Sequence, residues 1–335
     1  ITLKTAIYGA GSVGTVLGAY LTKAGVPIEL ISRNKAHIYA LKTRGAKIEG
    51  TADFSIPVKA FLPEEMNEKY DIIFLITKQL DNVNVLDFLK SFLTEQGVIC
   101  TMQNGLPELS VSESIGEMRT FGCAIAWGAE MTTAGVCRLT SDPNALSFSL
   151  GSFAAKNNEK LEQIATLLGK MGKVTIEENF IGARWSKLLV NSAFSGLSAV
   201  FGCTFGEVAA NKKSRIIAQK IIKECIDVAK AANIKIEPIQ GKNIVKLFDY
   251  HSTIKQQISL FLIPFAIKEH KKLRASMLQD LEKGKHCEID AINGVVCKYG
   301  EKYSFPTPYN DKVVAIIKEI ENGNKKPSWQ NLENF

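Results

Sequence analysis

Residues 3–8 have the pattern of a short buried strand, followed by a cluster of glycines and then by apolar positions at helical spacing as far as Gly25. That order predicts a buried strand, a tight turn and a helix. The alternation continues, with strands expected over 3–8, 27–32, 71–77 and 97–101 and helices over 12–24, 34–44 and 81–94. Strands that alternate with helices predict a parallel, doubly wound sheet. Short strands over 120–127, 136–140 and 146–150, punctuated by Gly135, Asp142-Pro143 and Gly151, are expected to extend that sheet. A helix over 158–171 and a strand over 173–176 close the first domain. From Phe180 onward strand signals are scarce. Helices over 180–199, 213–232, 239–250, 262–282, 288–300 and 309–322 predict an all-helical second domain, and residues 324–335 read as an irregular tail.

The first turn carries chemistry. Gly9-Ala10-Gly11-Ser12-Val13-Gly14 is a G-x-G-x-x-G between a strand and a helix. In that context it marks a dinucleotide site: Gly9 allows the tight turn, Gly11 admits the pyrophosphate, and Gly14 lets helix and strand pack closely. The free N–H groups and dipole of the helix N-terminus favour the anion. The second strand ends in Ser32-Arg33 rather than in an acidic residue, and Glu29 lies too early within it to reach a ribose. A guanidinium suits a 2′-phosphate, so NADP(H) is expected over NAD(H). The fold class that follows is α/β: an N-terminal Rossmann-type doubly wound sheet (residues 1–178) and a C-terminal all-helical domain (179–323), before the tail at 324–335.

Composition bounds the partners. A chain of 335 residues with 46% hydrophobic positions can fill two cores. No apolar run is long enough to span a bilayer, so no membrane is expected. The apolar run after Lys4 breaks at Gly9 and reads as a strand, not a leader. Seven dispersed cysteines without a C-x-x-C suggest reduced thiols and a cytoplasmic setting. The four histidines show no ligand spacing, so no metal is expected. The net charge of +7 is spread along amphipathic segments, which argues against nucleic acid and suits an anionic cofactor and substrate. Monomer and homodimer both remain open.

Further polar residues collect at three places. Lys78 and Asn104 follow two strands, at the end of the sheet where ligands bind. Lys78 equally fits a solvated lysine, and Asn104-Gly105 a plain turn. Lys187, Asn191 and Ser195 stand at i, i+4, i+8 among mostly apolar neighbours, so they share a face. Lys187 is either buried and hydrogen-bonded or reaching out to solvent. Ser276-Met277-Leu278-Gln279-Asp280 and Glu288-Ile289-Asp290-Ala291-Ile292-Asn293-Gly294 form the third group. On the residues alone Glu288 reads as a helix-start carboxylate.

Together these motifs resemble the ketopantoate reductase family from Gly9 to about Asn310. The specific ones are Trp185-Ser186-Lys187-Leu188-x-x-Asn191, the Ser276 and Glu288 segments, and Thr307-Pro308-x-Asn310. The resemblance implies NADPH-dependent reduction of a small anionic 2-keto acid, 2-dehydropantoate, to pantoate on the way to pantothenate and coenzyme A. It implies that Lys187 is the proton donor and that Asn104, Asn191 and Ser276 bind substrate. It also implies that Glu288 completes the catalytic site, and that Lys78, Asn104 and Glu288 lie on the cofactor side.

The chain departs from the family pattern at Ser195, where many members carry a second asparagine; Ser195 is assigned to the substrate pocket. The family's usual Pro-Gly turn is Ala134-Gly135 here, and the tail runs past the family's usual end. Pocket contacts set discrimination, so another branched 2-keto acid is a second expectation. A non-catalytic NADP(H) sensor is a third.

Overall fold

A computed structural model describes residues 3–154, 158–239 and 241–335. The chain forms two compact units, one of residues 1–103 and 107–180, the other of 104–106 and 181–335.

In the first unit the elements run β1 (Thr5–Tyr8), α1 (Ser12–Lys23), β2 (Ile28–Ile31), α2 (Lys35–Arg44), β3 (Ala46–Gly50), β4 (Phe54–Ile56), β5 (Lys59–Phe61), β6 (Tyr70–Leu75), α3 (Asn82–Lys90), β7 (Leu93–Thr101), α4 (Glu108–Ile115), β8 (Thr120–Ile125), β9 (Ala129–Thr133), β10 (Val136–Leu139), β11 (Ser147–Ser152), α5 (Asn158–Leu168) and β12 (Lys173–Ile176). Among the described residues the main sheet has eight strands, in the order β12-β11-β8-β7-β6-β1-β2-β5. Its pairings are parallel except for β8 with β11. The pleat divides the core. Ile7, Ile72, Phe74, Val98 and Cys100 face one side with α1 and α5. Ala6, Tyr8, Ile73, Leu75 and Ile99 face the other with α3 and α4. The near-continuous apolar strands are therefore those of a sheet covered on both faces.

One expectation needs correcting. The segment 136–140 does not extend the main sheet. As β10 it pairs with β3 and β9 in a second, four-stranded sheet ordered β4-β3-β10-β9. The strands at 46–61 were not expected, because they are short and half-exposed and carry little apolar signal. The small sheet packs on α1, which also packs on β1 and β2. Covered from both sides, α1 buries Gly14, Thr15, Val16, Leu17, Gly18, Ala19 and Leu21.

The second unit runs through α6 (Phe180–Val190), a π-helical turn (Asn191–Ser195), α7 (Gly196–Phe201), α8 (Phe205–Ala210), α9 (Lys212–Ala231), α10 (Ile244–Phe248), α11 (Thr253–Ala266), α12 (Ser276–Glu282), α13 (Asn293–Lys302) and α14 (Pro308–Glu321). The helix expected over 262–282 is two helices. Pro264 lies near the end of α11, and the charged stretch 268–274 separates it from α12. The helix expected over 239–250 shortens to α10, which starts where the Asn243 side chain caps the Lys246 N–H; Gln240 lies outside the described residues. The segment 288–292 is a tight turn before α13. The tail is not irregular. It forms a 3-10 helix (Trp329–Asn334), with Trp329 stacked on Phe201 at 4.8 Å and Asn331 Nδ2 donating to Val200 O at 2.9 Å. No described helix is long and apolar enough to cross a membrane.

His37 ties the first unit together. It is wholly buried on α2. Its Nδ1 accepts the Gly135 N–H at 3.0 Å, and its Nε2 lies 2.9 Å from Thr15 Oγ1 on α1. The network thus assigns the proton to Nε2, and α1, α2 and the β9–β10 turn meet on one neutral ring. Burial lowers its pKa below the usual 6.5. The unfolded chain takes up that proton first as pH falls, so stability declines through and below about pH 6.5. Thermal unfolding from about pH 7.5 down to about pH 5.5 is expected to show a falling Tm. His37→Asn should start lower, by about 1–3 kcal/mol, but show a flatter pH dependence.

Candidate active site

In the first unit, the turn after β1 sits at the carboxyl end of the sheet, where β1 is flanked by β2 and β6. This is the place at which open α/β sheets take ligands. The Gly9 and Ala10 N–H groups both donate to Ile31 O, at 2.9 and 2.8 Å, which pins the loop to the end of β2. Gly9 has φ +105°, and a Cβ there would lie 2.6 Å from Thr77 N. Gly14 packs its bare Cα against the loop: a Cβ would meet Gly9 O at 2.7 Å and Ile7 Cγ2 at 3.0 Å. Nothing within 4 Å would meet a Cβ on Gly11, so that position is open. No side chain caps the start of α1, and its first turn carries no acid. The N–H groups of Ser12, Val13 and Gly14 are thus disposed for an anion.

The other first-unit candidates flank this loop. Arg33 is exposed directly after β2, near enough to Tyr8 to act on its phenol. Glu29 is engaged elsewhere, accepting the Tyr70 hydroxyl at 2.5 Å. Lys78 is exposed just past β6. Sequence reasoning gave no role to Gln103, which is buried. Its Nε2 donates to Thr77 O and Asn82 Oδ1, both at 2.8 Å, while its Oε1 accepts from Thr101 Oγ1 at 3.0 Å and Asn82 Nδ2 at 3.1 Å. One amide therefore fixes the segments that carry Lys78 and lead into Asn104. Only the strand-end position of Gln103-Asn104-Gly105 hinted at this, because the partners are distant in sequence.

In the second unit, α6, the π turn and α7 form one rod. Trp185, Leu188, Leu189, Ala193, Phe194 and Leu197 are buried along it. Lys187, Asn191 and Ser195 are only half-buried. The π turn bears on their alignment. In a uniform α-helix, eight residues overshoot two turns by about 80°. A π turn takes up about one further residue, which returns Ser195 nearly to the line of Lys187. Helix α12 packs on the π turn and on α7, which brings Ser276, exposed at its first position, to the same part of the unit. Glu288 is buried in the turn before α13. Asn104 is half-buried and belongs with this second unit. Among the described residues no cluster of His, Cys, Asp and Glu has the arrangement of a metal site.

Comparison with known proteins adds the decisive observation. Residues 5–152 match ketopantoate reductase PanE/ApbA, and residues 179–321 match the ketopantoate reductase PanE/ApbA C-terminal domain. The chain belongs to the ketopantoate reductase family. The 2-dehydropantoate 2-reductase of Pyrococcus horikoshii is 29% identical over 95% of this chain and 98% of its own length. That of Aquifex aeolicus is 28% identical over 97% and 99%. Among solved structures, a D-mandelate dehydrogenase determined with NADH and anilino(oxo)acetate superposes with a TM-score of 0.81 at 20% identity, covering 96% of this chain and 99% of that one. A family ketopantoate reductase from Ralstonia eutropha gives 0.80 at 22%, with the same coverage. Family membership makes the chain an oxidoreductase of the ketopantoate reductase type.

Gly14 provides a direct check on the loop. Gly14→Ala forces the loop and helix apart, because its Cβ would lie 2.7 Å from backbone (Gly9 O) and 3.0 Å from the core side chain of Ile7. Denaturant unfolding is expected to show a loss of about 1–3 kcal/mol.

Proposed function

We propose that this protein reduces a 2-keto acid to the 2-hydroxy acid with NADPH, and that 2-dehydropantoate is the substrate and pantoate the product. The observation that carries this reading is the half-buried line of Lys187, Asn191 and Ser195 on a rod that is otherwise mostly buried. The product would feed pantothenate and coenzyme A synthesis, in a cytoplasmic setting that suits the dispersed cysteines.

The residues fit a nicotinamide dinucleotide. The open Gly11 and the uncapped start of α1 would take the pyrophosphate, and Arg33 the 2′-phosphate. The D-mandelate dehydrogenase neighbour was solved with NADH; Arg33 in place of a ribose-binding acid is what favours NADPH here. Lys78 would lie by the cofactor. When bound, the reduced nicotinamide supplies the hydride. Asn104, Asn191, Ser195 and Ser276 would hold the keto acid. The Lys187 ammonium would polarise the ketone oxygen, stabilise negative charge developing on it and deliver the proton. Glu288 would complete the site as a buried carboxylate. Ser195 favours one second reading, a different branched 2-keto acid, because serine is shorter than asparagine and leaves more room.

The test is NADPH oxidation, followed by absorbance, with 2-dehydropantoate beside a panel of 2-keto acids. Preference for 2-dehydropantoate is expected. Turnover of another keto acid reassigns the substrate, and tight NADPH binding without turnover points to a sensor. Lys187→Ala is expected to lower kcat by about 10²–10⁴-fold while leaving NADPH affinity intact. An equal loss of NADPH affinity would remove its role as proton donor. Arg33→Ala is expected to weaken NADPH by about 10- to 100-fold and NADH little, measured by titration.

A further inference from the structure

Asn293 and Asn310 have no role in the mechanism above, yet both side chains are wholly buried in the second unit. They lead to the π turn. The Gly196 N–H donates to Asn191 O, the i→i+5 bond, and to Ala193 O. It therefore passes over Ser192 O, which would be its acceptor in an α-helix. Asn293 Nδ2 donates to Ser192 O at 3.0 Å. A side-chain amide from α13 thus supplies a donor to the carbonyl that the π turn deprives of its α-helical one. Gly196 makes the approach feasible, since a Cβ there would lie 2.8 Å from Asn293 Oδ1 and 3.1 Å from Val313 Cγ1.

Asn293 is held in turn. Its Nδ2 also donates to Asn310 Oδ1 at 3.0 Å, and Asn310 Nδ2 donates to Glu224 Oε2 at 2.7 Å. Glu224, buried on α9, further accepts the Tyr309 and Asn310 N–H groups at 2.8 and 3.0 Å, at the start of α14. A carboxylate at a helix N-terminus with several donors is a fixed anchor. The order Glu224, Asn310, Asn293, Ser192 links three helices to the one irregular turn of the rod.

We infer that Asn293, oriented by Asn310 and Glu224, clasps the π turn and thereby sets Asn191 and Ser195 in register with Lys187. The three are positioning residues for substrate binding. What the stripe binds rests on the 2-keto acid reading; the clasp itself rests only on the geometry of the second unit.

The clasp can be loosened from either side. Asn293→Ser replaces the amide with a hydroxyl too short to reach Ser192 O, and Gly196→Ala pushes the amide away without altering any hydrogen-bonding group. In both full-length variants, amide hydrogen exchange over residues 192–198 is expected to rise about tenfold or more, with exchange in the middle of α9 unchanged. The KM for the keto acid is expected to rise about tenfold, with NADPH affinity unchanged. Combined with Ser195→Ala, the KM effects should be less than additive, because both changes disturb one register. Unchanged exchange at 192–198, an unchanged keto acid KM, or additive effects in the double variant would each overturn the proposal. A uniform loss of stability with KM intact would reduce the network to scaffolding and overturn it too. A wild-type chain that turns over no 2-keto acid overturns the substrate reading instead, and exchange at 192–198 then decides the clasp.

Discussion

A helix buried on nearly every side must satisfy its own polar groups or surrender part of its surface. The rod of α6, the π turn and α7 does both. Helices α9, α12 and α14 pack along it. Trp185 is wholly buried, with its indole N–H on Cys225 O at 2.9 Å. One line of the rod stays half-open, and it carries the lysine, the asparagine and the serine. Deep burial fixes where these side chains start, and the open line gives them something to act on. Rigid placement and access usually conflict, and here one element divides them by face.

The first unit meets a similar constraint by a different route. Helix α1 lies between a largely parallel sheet and a small mixed one, so its start must approach backbone closely and cannot carry bulk. Gly14 resolves the contact with the loop, and Gly18 does the same against Leu30, whose side chain a Cβ would meet at 2.7 Å. The polar cost of that burial falls on Thr15, which His37 meets. In both units, then, buried polar side chains hold the local backbone: His37 and Gln103 in one, Asn293 in the other. Buried polar networks of this kind specify one arrangement only when their members are paired.

These networks act by holding backbone in place rather than by touching a ligand. None of His37, Asn293 and Glu224 is assigned to a cofactor or a substrate. Burial raises the thiols of Cys137 to about 11 and of Cys203, Cys287 and Cys297 to about 12, so these cysteines stay protonated and act as small apolar fillers. Arg33, Lys78, Lys187 and Ser276, proposed above to meet cofactor or substrate, are by contrast half-buried or exposed.

The sequence by itself determined the elements whose signal is local. A short run ending in Ala6-Ile7-Tyr8 before a glycine turn reads as β1, and the long periodic stretch of α9 declares its own buried face. The glycine loop and the polar spacing on the rod were legible for the same reason, since residues a turn apart are neighbours wherever the helix lies. Tertiary structure alone decided the rest. Strands β3, β4 and β10 are too short and too exposed to announce a separate sheet; pairing between distant segments makes them one. The π turn has no sequence signature, because it exists only where Asn293, about a hundred residues away, meets a carbonyl that helical periodicity would have hidden. Periodicity encodes which face is buried, whereas the partners of buried polar atoms are set by which segments the fold brings together.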